Sequence, residues 1–142
     1  MGRCAGQLRD SALRTVEQLV NEAMGEIETL SVAKAQELAA TGEAQLVDIR
    51  DIRELKREGK IAGALHVPRG MLEFWIDPQS PYHKPELATV KKLVFFCAAG
   101  WRSALATKTA KDMGFENVAH IEGGFGAWCA AGAPIEVPQK AD

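Results

Sequence analysis

The chain has 142 residues, 46% of them hydrophobic and 25% charged, which suits one compact domain with its own core and leaves little room for a second. A net charge of -2 excludes a broad basic field, so neither nucleic acid nor a membrane surface is an expected partner. The longest apolar run, residues 93–99, is far too short to span a membrane, and residues 1–10 lack the apolar centre of a secretory signal, which makes the cytoplasm the expected compartment.

The first predicted element is an amphipathic helix over residues 8–27. Its apolar positions recur at steps of three and four, the spacing of one helix face. They are Leu8, Ala12, Val16, Leu19, Val20, Ala23, Met24 and Ile27. We favour the interpretation that this helix packs on its own domain. The alternative is a helix that forms a homodimer or binds another partner.

The next stretch predicts a helix, a strand and a second helix. Ser31 stands at an N-cap position, and helical spacing continues until Gly42 supplies a stop. Residues 44–50 are an apolar run that ends on charges, which is typical of a buried parallel strand emerging at its carboxyl end. Residues 51–58 predict a short charged helix that Gly59 closes.

The second half of the chain continues the alternation. Residues 61–68 predict a turn and a strand, and the prolines that follow exclude a long helix. Residues 93–96 are the clearest buried strand and residues 103–113 the clearest helix; a strand over 117–121 and a helix over 123–130 complete the pattern. The sequence therefore predicts an α/β fold with a mainly parallel sheet of about five strands and helices on both faces.

The loop after the strand 93–96 carries the strongest chemical signal. Ligands of open parallel sheets bind outside the carboxyl ends of the strands, and Cys97 lies there, just before the helix that Ser103 opens. Gly100 helps the loop curl, so that backbone N–H groups and the helix dipole face inward and favour a nucleophilic thiolate at neutral pH. The same N–H groups can hold the terminal sulfur of a persulfide, and Arg102 can bond an incoming oxyanion.

Each of these residues also has a purely structural interpretation. Cys97 could be an apolar filler that finishes its strand, although Arg102 would then have no purpose. Asp48, Arg50 and Arg53 follow another predicted strand, and a doubly wound sheet can bring them beside the Cys97 loop. For Asp48 we favour an ion pair with an arginine of the site over full exposure; for Arg53 a binding role and a solvated helix charge are equally open.

The cysteines and histidines are few and widely spaced. These spacings argue against a disulfide framework and against paired metal ligands, so no metal site is expected and at least one thiol should be free. Cys129 follows Trp128 at a position that suggests packing in the core. The residues are Cys4, Cys97 and Cys129, and His66, His83 and His120.

Four segments together resemble the rhodanese family. The loop Cys97-Ala98-Ala99-Gly100-Trp101-Arg102-Ser103 matches its active-site pattern C-x-x-G-x-R-S. Residues 46–50 resemble the strand L-V/I-D-V/T-R, residues 59–68 the segment G-H-I-x-G-A-x-x-I-P, and residues 121–128 the ending L-x-G-G-x-x-x-W. Their order and spacing fit across residues 27–135, most of the chain.

The resemblance implies a rhodanese domain over residues 27–138, with a helical extension at 1–26 and a tail at 139–142. It implies a sulfurtransferase that moves sulfane sulfur from thiosulfate or a persulfide donor to a thiol, cyanide or protein acceptor through a persulfide on Cys97, without metal or organic cofactor. Cys97 is then the catalytic residue. The expected anion-binding residues are Ala98, Ala99, Gly100, Trp101, Arg102, Ser103, Asp48 and Arg53.

The sequence also departs from the family pattern. Lys60 replaces a usual His, and Ala98, Ala99 and Trp101 stand where members that prefer thiosulfate often carry basic or polar residues. A protein persulfide or another thiol is therefore an alternative donor. The irregular segment after residue 68 contains Arg69, Glu73 and Trp75, which could form a lid.

Two rival functions follow from the same residues. One is a non-catalytic rhodanese-like binding or regulatory module, for which the N-terminal helix is the best support. The other is a cysteine phosphatase, which is disfavoured because related phosphatases place five residues between cysteine and arginine, whereas four separate Cys97 from Arg102.

Overall fold

The computed structural model describes residues 13–138, in which six α-helices alternate with five strands. The helices are α1 Val16–Met24, α2 Val32–Thr41, α3 Ile52–Glu58, α4 Leu72–Ile76, α5 Trp101–Asp112 and α6 Gly124–Ala130. The strands are β1 Glu28–Leu30, β2 Ala44–Asp48, β3 Leu65–His66, β4 Lys92–Phe96 and β5 Val118–Ile121. Short 3-10 turns cover Arg69–Met71 and Pro85–Leu87. Among the described residues, no helix has both the length and the apolar character needed to cross a membrane.

All five strands form one parallel sheet in the order β1-β5-β4-β2-β3, so the α/β prediction is confirmed. Helices α1, α4 and α5 cover one face, where Phe95 and Val118 meet Ala106 and Leu72. Helices α2 and α6 cover the other, where Trp128 joins the core. The central strand β4 therefore delivers Cys97 to the carboxyl edge of the sheet between two packed layers.

The N-terminal helix is shorter than its apolar pattern. Thr15 and Gln18 form a capping box at its start, and the helix ends at Gly25. Residues 28–30, which the pattern left outside any element, form the edge strand β1 beside β5. Val20 and Ala23 pack on Ala104 of α5, as the favoured interpretation of this helix expects. Leu8 and Ala12 lie outside the described residues, and a homodimer through this helix stays a prediction.

Cys129 corrects an expectation. It is exposed on α6, whereas its neighbour Trp128 is buried and donates from Nε1 to the Pro134 carbonyl at 2.9 Å. The two residues are adjacent on a helix, so they point about 100° apart, and only one of them can face the sheet.

Candidate active site

The Cys97 loop is a tight passage from β4 into α5. Gly100 adopts a positive φ of 117°, a conformation that residues with a Cβ avoid, and α5 begins at Trp101. The helix thus starts two residues earlier than the predicted Ser103. The amides of Trp101, Arg102 and Ser103 are therefore among the first N–H groups of a helix, which lack carbonyl partners within it.

The sulfur of Cys97 lies among hydrogen-bond donors. The Gly100 N–H donates to Sγ at 3.1 Å and the Ser103 N–H at 3.4 Å, while the Ser103 hydroxyl oxygen lies 3.6 Å from Sγ. Cys97 is 1% exposed, whereas Trp101 on the same loop is 52% exposed. The arrangement stabilises negative charge on the sulfur, because backbone N–H groups are aimed at it without rearrangement.

The start of α6 holds the loop in place. The Phe125 N–H donates to the Cys97 carbonyl at 2.7 Å, and the Gly126 N–H donates to the Ala98 carbonyl at 3.0 Å. A Cβ on Gly124 would stand 2.3 Å from the Cys97 carbonyl oxygen. Gly124, the second glycine of the pair in the segment 121–128, thus allows the close backbone approach that shapes the loop.

Arg102 is paired with a residue that the sequence did not indicate. Its Nη1 and Nη2 donate to the Glu54 carboxylate at 2.8 and 3.1 Å. This bond raises the pKa of Arg102, with a smaller contribution from Cys97, and lowers the pKa of Glu54 to about 2. Glu54 also accepts the Asp51 N–H at 2.9 Å, so its sequence signal was the capping box of α3.

Asp48 forms a buried pair with Arg50. Its carboxylate accepts from the Arg50 backbone N–H at 3.0 Å and from the guanidinium at distances down to 2.8 Å. Arg50 also donates to the Gly59 carbonyl at 2.9 Å and lies 4.0 Å from the Phe125 ring centroid. The carboxylate is thus occupied by Arg50, and an anion-binding role for Asp48 stays a prediction.

Arg53 extends from α3 into solvent. Its side chain is 81% exposed and bonds the Asp51 carboxylate at 2.9 Å, which lowers the pKa of Asp51 to about 2. The structure thus shows Arg53 engaged with its own helix cap, and its proposed contact with a bound anion stays a prediction.

The polar residue that the sequence analysis passed over is His120. It lies on β5, is 2% exposed, and has an oxygen partner at each ring nitrogen. Nδ1 is 3.0 Å from the Ser103 hydroxyl oxygen, and Nε2 is 3.1 Å from the Thr29 hydroxyl oxygen. Burial lowers the pKa of His120. The available signal was a histidine within an otherwise apolar strand.

The segment considered as a lid makes contacts with the α5 layer and with Lys84. Arg69 pairs with Glu73 at 3.1 Å and donates to the Thr109 hydroxyl at 3.2 Å. Lys84 Nζ lies 4.8 Å from the Trp75 ring centroid. A lid function for Arg69, Glu73 and Trp75 stays a prediction.

The fold and the site together define a parallel α/β protein with a buried cysteine in a loop whose backbone N–H groups face its sulfur. Comparison with known families places it more narrowly. The family model described as Rhodanese-like domain matches residues 31–131, and the chain belongs to this family.

Two similar proteins are named as sulfurtransferases, and a third carries a different name. The chain is 36% identical to human thiosulfate:glutathione sulfurtransferase over 70% of this chain and 91% of that protein. The polysulfide-sulfur transferase homodimer of Wolinella succinogenes is 31% identical, with a TM-score of 0.65 over 93% of this chain and 92% of that one. A protein of unknown function from Rhodopseudomonas palustris, named "Possible Tyrosine Phosphatase", is 58% identical, with a TM-score of 0.83 over 87% and 95%.

Proposed function

We propose that the protein is a sulfurtransferase that carries sulfane sulfur as a persulfide on Cys97. The observation that carries this proposal is the pair of backbone N–H groups, of Gly100 and Ser103, that donate to Sγ at 3.1 and 3.4 Å, with the Ser103 hydroxyl oxygen 3.6 Å from the same sulfur. Such a set suits an anionic sulfur before and after loading. The named sulfurtransferases among its relatives support the same class.

The transfer consists of two nucleophilic displacements. The Cys97 thiolate attacks the outer sulfur of the donor; a new S–S bond forms, the donor's own S–S bond breaks, and sulfite or a thiolate leaves with the bonding pair. The acceptor thiolate then attacks the outer sulfur on Cys97, and the cysteine leaves as thiolate. Electrons balance without an added oxidant, so a metal or organic cofactor is not required.

The donor that this loop suits best is a persulfide or polysulfide rather than thiosulfate. Ala98, Ala99 and Trp101 bring no positive charge to the loop, and the charge of Arg102 is partly neutralised by Glu54. A dianion such as thiosulfate loses more hydration on entering the site than a singly charged persulfide does, and this loop offers little positive charge to offset that loss. The acceptor is a thiol, either small or on a protein, with cyanide as a laboratory substitute.

Intact-mass spectrometry tests the proposal. We expect the full chain to gain one sulfur atom from glutathione persulfide or polysulfide, to gain it more slowly from thiosulfate, and to lose it to excess thiol or cyanide. Cys97→Ser should gain none, and Cys129→Ser, which removes an exposed thiol, should gain as the wild type does. No gain from any donor would favour the non-catalytic binding module.

A phosphatase is the second candidate, because of the name given to the Rhodopseudomonas palustris protein. The length of the loop disfavours a phosphatase, because the four residues between Cys97 and Arg102 form a smaller ring than a tetrahedral phosphate requires. Hydrolysis of an aryl phosphate by the wild type and its loss in Cys97→Ser would overturn the sulfurtransferase assignment.

A further inference from the structure

A chain of hydrogen-bonding groups connects β1 to the reactive sulfur. Thr29 and His120 are register partners on neighbouring strands. From the Thr29 hydroxyl the contacts run to His120 Nε2 at 3.1 Å, from Nδ1 to the Ser103 hydroxyl at 3.0 Å, and from that hydroxyl to Cys97 Sγ at 3.6 Å. No sulfur-transfer step described above uses Thr29 or His120.

The imidazole of His120 is neutral at neutral pH. Burial is the cause that lowers the pKa of His120, and Cys97 is the titratable group to which Ser103 connects it. Apart from Glu17 on α1, the charged side chains on α1, β1, α4 and α5, the elements beside His120, pair with one another or with groups beside them. These pairs are Arg14–Glu22, Lys92–Glu28, Arg69–Glu73, Arg102–Glu54, Lys108–Glu26 and Lys108–Asp112, and Lys111 binds the Glu26 carbonyl.

A neutral imidazole carries its hydrogen on one nitrogen, and the choice decides what Ser103 can do. With a bare Nδ1, the single hydroxyl hydrogen of Ser103 points to the ring, and Ser103 Oγ presents only lone pairs to the sulfur. With hydrogen on Nδ1, the ring donates to Ser103 Oγ, and the hydroxyl hydrogen is released toward Sγ or the Gly100 carbonyl, 3.3 Å away. Only the second arrangement lets the Ser103 hydroxyl add to the stabilisation that the backbone N–H groups give an anionic sulfur.

We infer that His120 is a positioning residue for Cys97: its Nδ1–H donates to Ser103, which turns the Ser103 hydroxyl hydrogen onto the sulfur anion, while the Thr29 hydroxyl donates to Nε2. The inference rests on the proposed function only in that Cys97 is the nucleophile. Hydrogen bonds in such a series strengthen one another, so the distant partner Thr29 contributes to the charge at the sulfur.

Nitrogen-15 NMR of the full chain with labelled histidine tests the hydrogen position directly. We expect the His120 signals at neutral pH to show a protonated Nδ1 and an unprotonated Nε2. The opposite assignment would overturn the inference, because Ser103 would then donate to the ring.

The pH profile of alkylation of Cys97 by iodoacetamide tests the consequence, in a background that lacks Cys4 and Cys129. His120→Asn and His120→Gln are a matched pair: the Asn amide reaches the position of Nδ1 and can donate to Ser103, whereas the longer Gln amide reaches toward Nε2 and Thr29. We expect the alkylation midpoint to move up by about one pH unit in His120→Gln, the size of one lost hydrogen bond to an anion, and by much less in His120→Asn. A purely structural role would affect both variants alike.

Ser103→Ala completes the experiment. It should raise the midpoint as His120→Gln does, and the double variant should show no further rise, because His120 acts through Ser103. An unchanged or lowered midpoint in His120→Gln, or additive shifts in the double variant, would overturn the inference. Alkylation needs no sulfur donor, so this result stands apart from sulfur loading: a chain that takes up no sulfur can still show the shift, and a chain that takes up sulfur can lack it.

Discussion

The carboxyl ends of β4 and β2 lie side by side in the sheet and use polar groups in opposite ways. At the end of β4, the Cys97 sulfur accepts hydrogen bonds from the backbone N–H groups of Gly100 and Ser103, an arrangement that suits an anion. At the end of β2, the Asp48 carboxylate is already bonded to Arg50. A charged residue at a strand end thus marks a reactive site only when the fold leaves its bonding capacity for a ligand.

The two strand ends are also connected. The Arg50 guanidinium stacks on Phe125, and the Phe125 N–H binds the Cys97 carbonyl. The buried pair therefore supports the Cys97 loop through α6. This division of roles can be tested by damaging each end separately.

The largest loss of stability should follow Asp48→Asn. The change leaves the buried Arg50 charge without its partner, and we expect a loss of about 3–5 kcal/mol in the free energy of unfolding, measured with urea. The folded fraction should still load sulfur on Cys97. Glu58→Gln is the control, since Glu58 is a half-exposed partner 3.8 Å from the same guanidinium, and it should cost less than about 1 kcal/mol. Equal losses in both variants would contradict this role of Asp48.

Gly124→Ala should damage the reactive end most. The new Cβ would stand 2.3 Å from the Cys97 carbonyl, at a φ of 60° that alanine disfavours. We expect the free energy of unfolding to fall by about 2–3 kcal/mol. The rate of sulfur loading should be roughly tenfold lower than in the wild type, or lower still. Gly42→Ala, with a similar φ but open space around it, should lose stability and keep its loading rate. A loading rate in Gly124→Ala equal to that of the wild type would contradict the claim that α6 shapes the Cys97 loop.

Glu54→Gln should release the charge of Arg102. We expect loading from thiosulfate to become roughly three- to tenfold faster, as expected for about 1 kcal/mol of added attraction, with a smaller gain for a persulfide donor. Arg102→Gln should have the opposite effect on thiosulfate. Stopped-flow loading rates with both donors measure this, and an equal gain for both donors would exclude a charge effect.

The Glu54–Arg102 pair should also make the fold slightly acid-sensitive. The pKa of Glu54 is lowered to about 2, so the unfolded chain binds a proton at a higher pH than the folded chain does. The stabilisation is present above the ordinary pKa near 4.5 and is lost as the pH falls toward 2. Melting temperatures between pH 5 and pH 2 should therefore fall less steeply in Glu54→Gln than in the wild type. Parallel profiles would mean that the pair adds no stability.

Arg53→Ala should have the smallest effect. The side chain is exposed and bonded to its own helix cap, so we expect no measurable change in the free energy of unfolding and unaltered loading rates. A raised KM for thiosulfate in this variant would instead support a contact of Arg53 with the bound anion.

The sequence predicted those features of the fold that depend on residues close together in the chain, namely helix ends and most strands. Ser31, Gly42 and Gly59 mark helix ends as expected, and the sites of β2 to β5 follow from apolar runs. Strand β1 was not predicted, because a strand of three residues is too short to show an alternation of apolar and polar side chains. Its existence depends on pairing with β5, which lies far away in the sequence.

The candidate site divides in the same way. Cys97 and its loop were predictable, because a strand, a glycine and a helix start are adjacent in sequence. The contacts of Glu54 with Arg102 and of Thr29 with His120 span 48 and 91 residues, so no local pattern contains them. Cys129 was misplaced because adjacency to a core tryptophan does not fix the direction of its own side chain.

The support that α6 gives to the loop has a consequence for how the site is built during synthesis. The whole segment Cys97 to Ser103 leaves the ribosome before Gly124 and Phe125 do, yet those later residues hold the carbonyls of Cys97 and Ala98. A nascent or truncated chain that ends before residue 123 contains the whole loop motif but lacks α6, whose N–H groups hold the loop in its conformation. We therefore expect the proposed sulfur loading of Cys97 to begin only after α6 has docked.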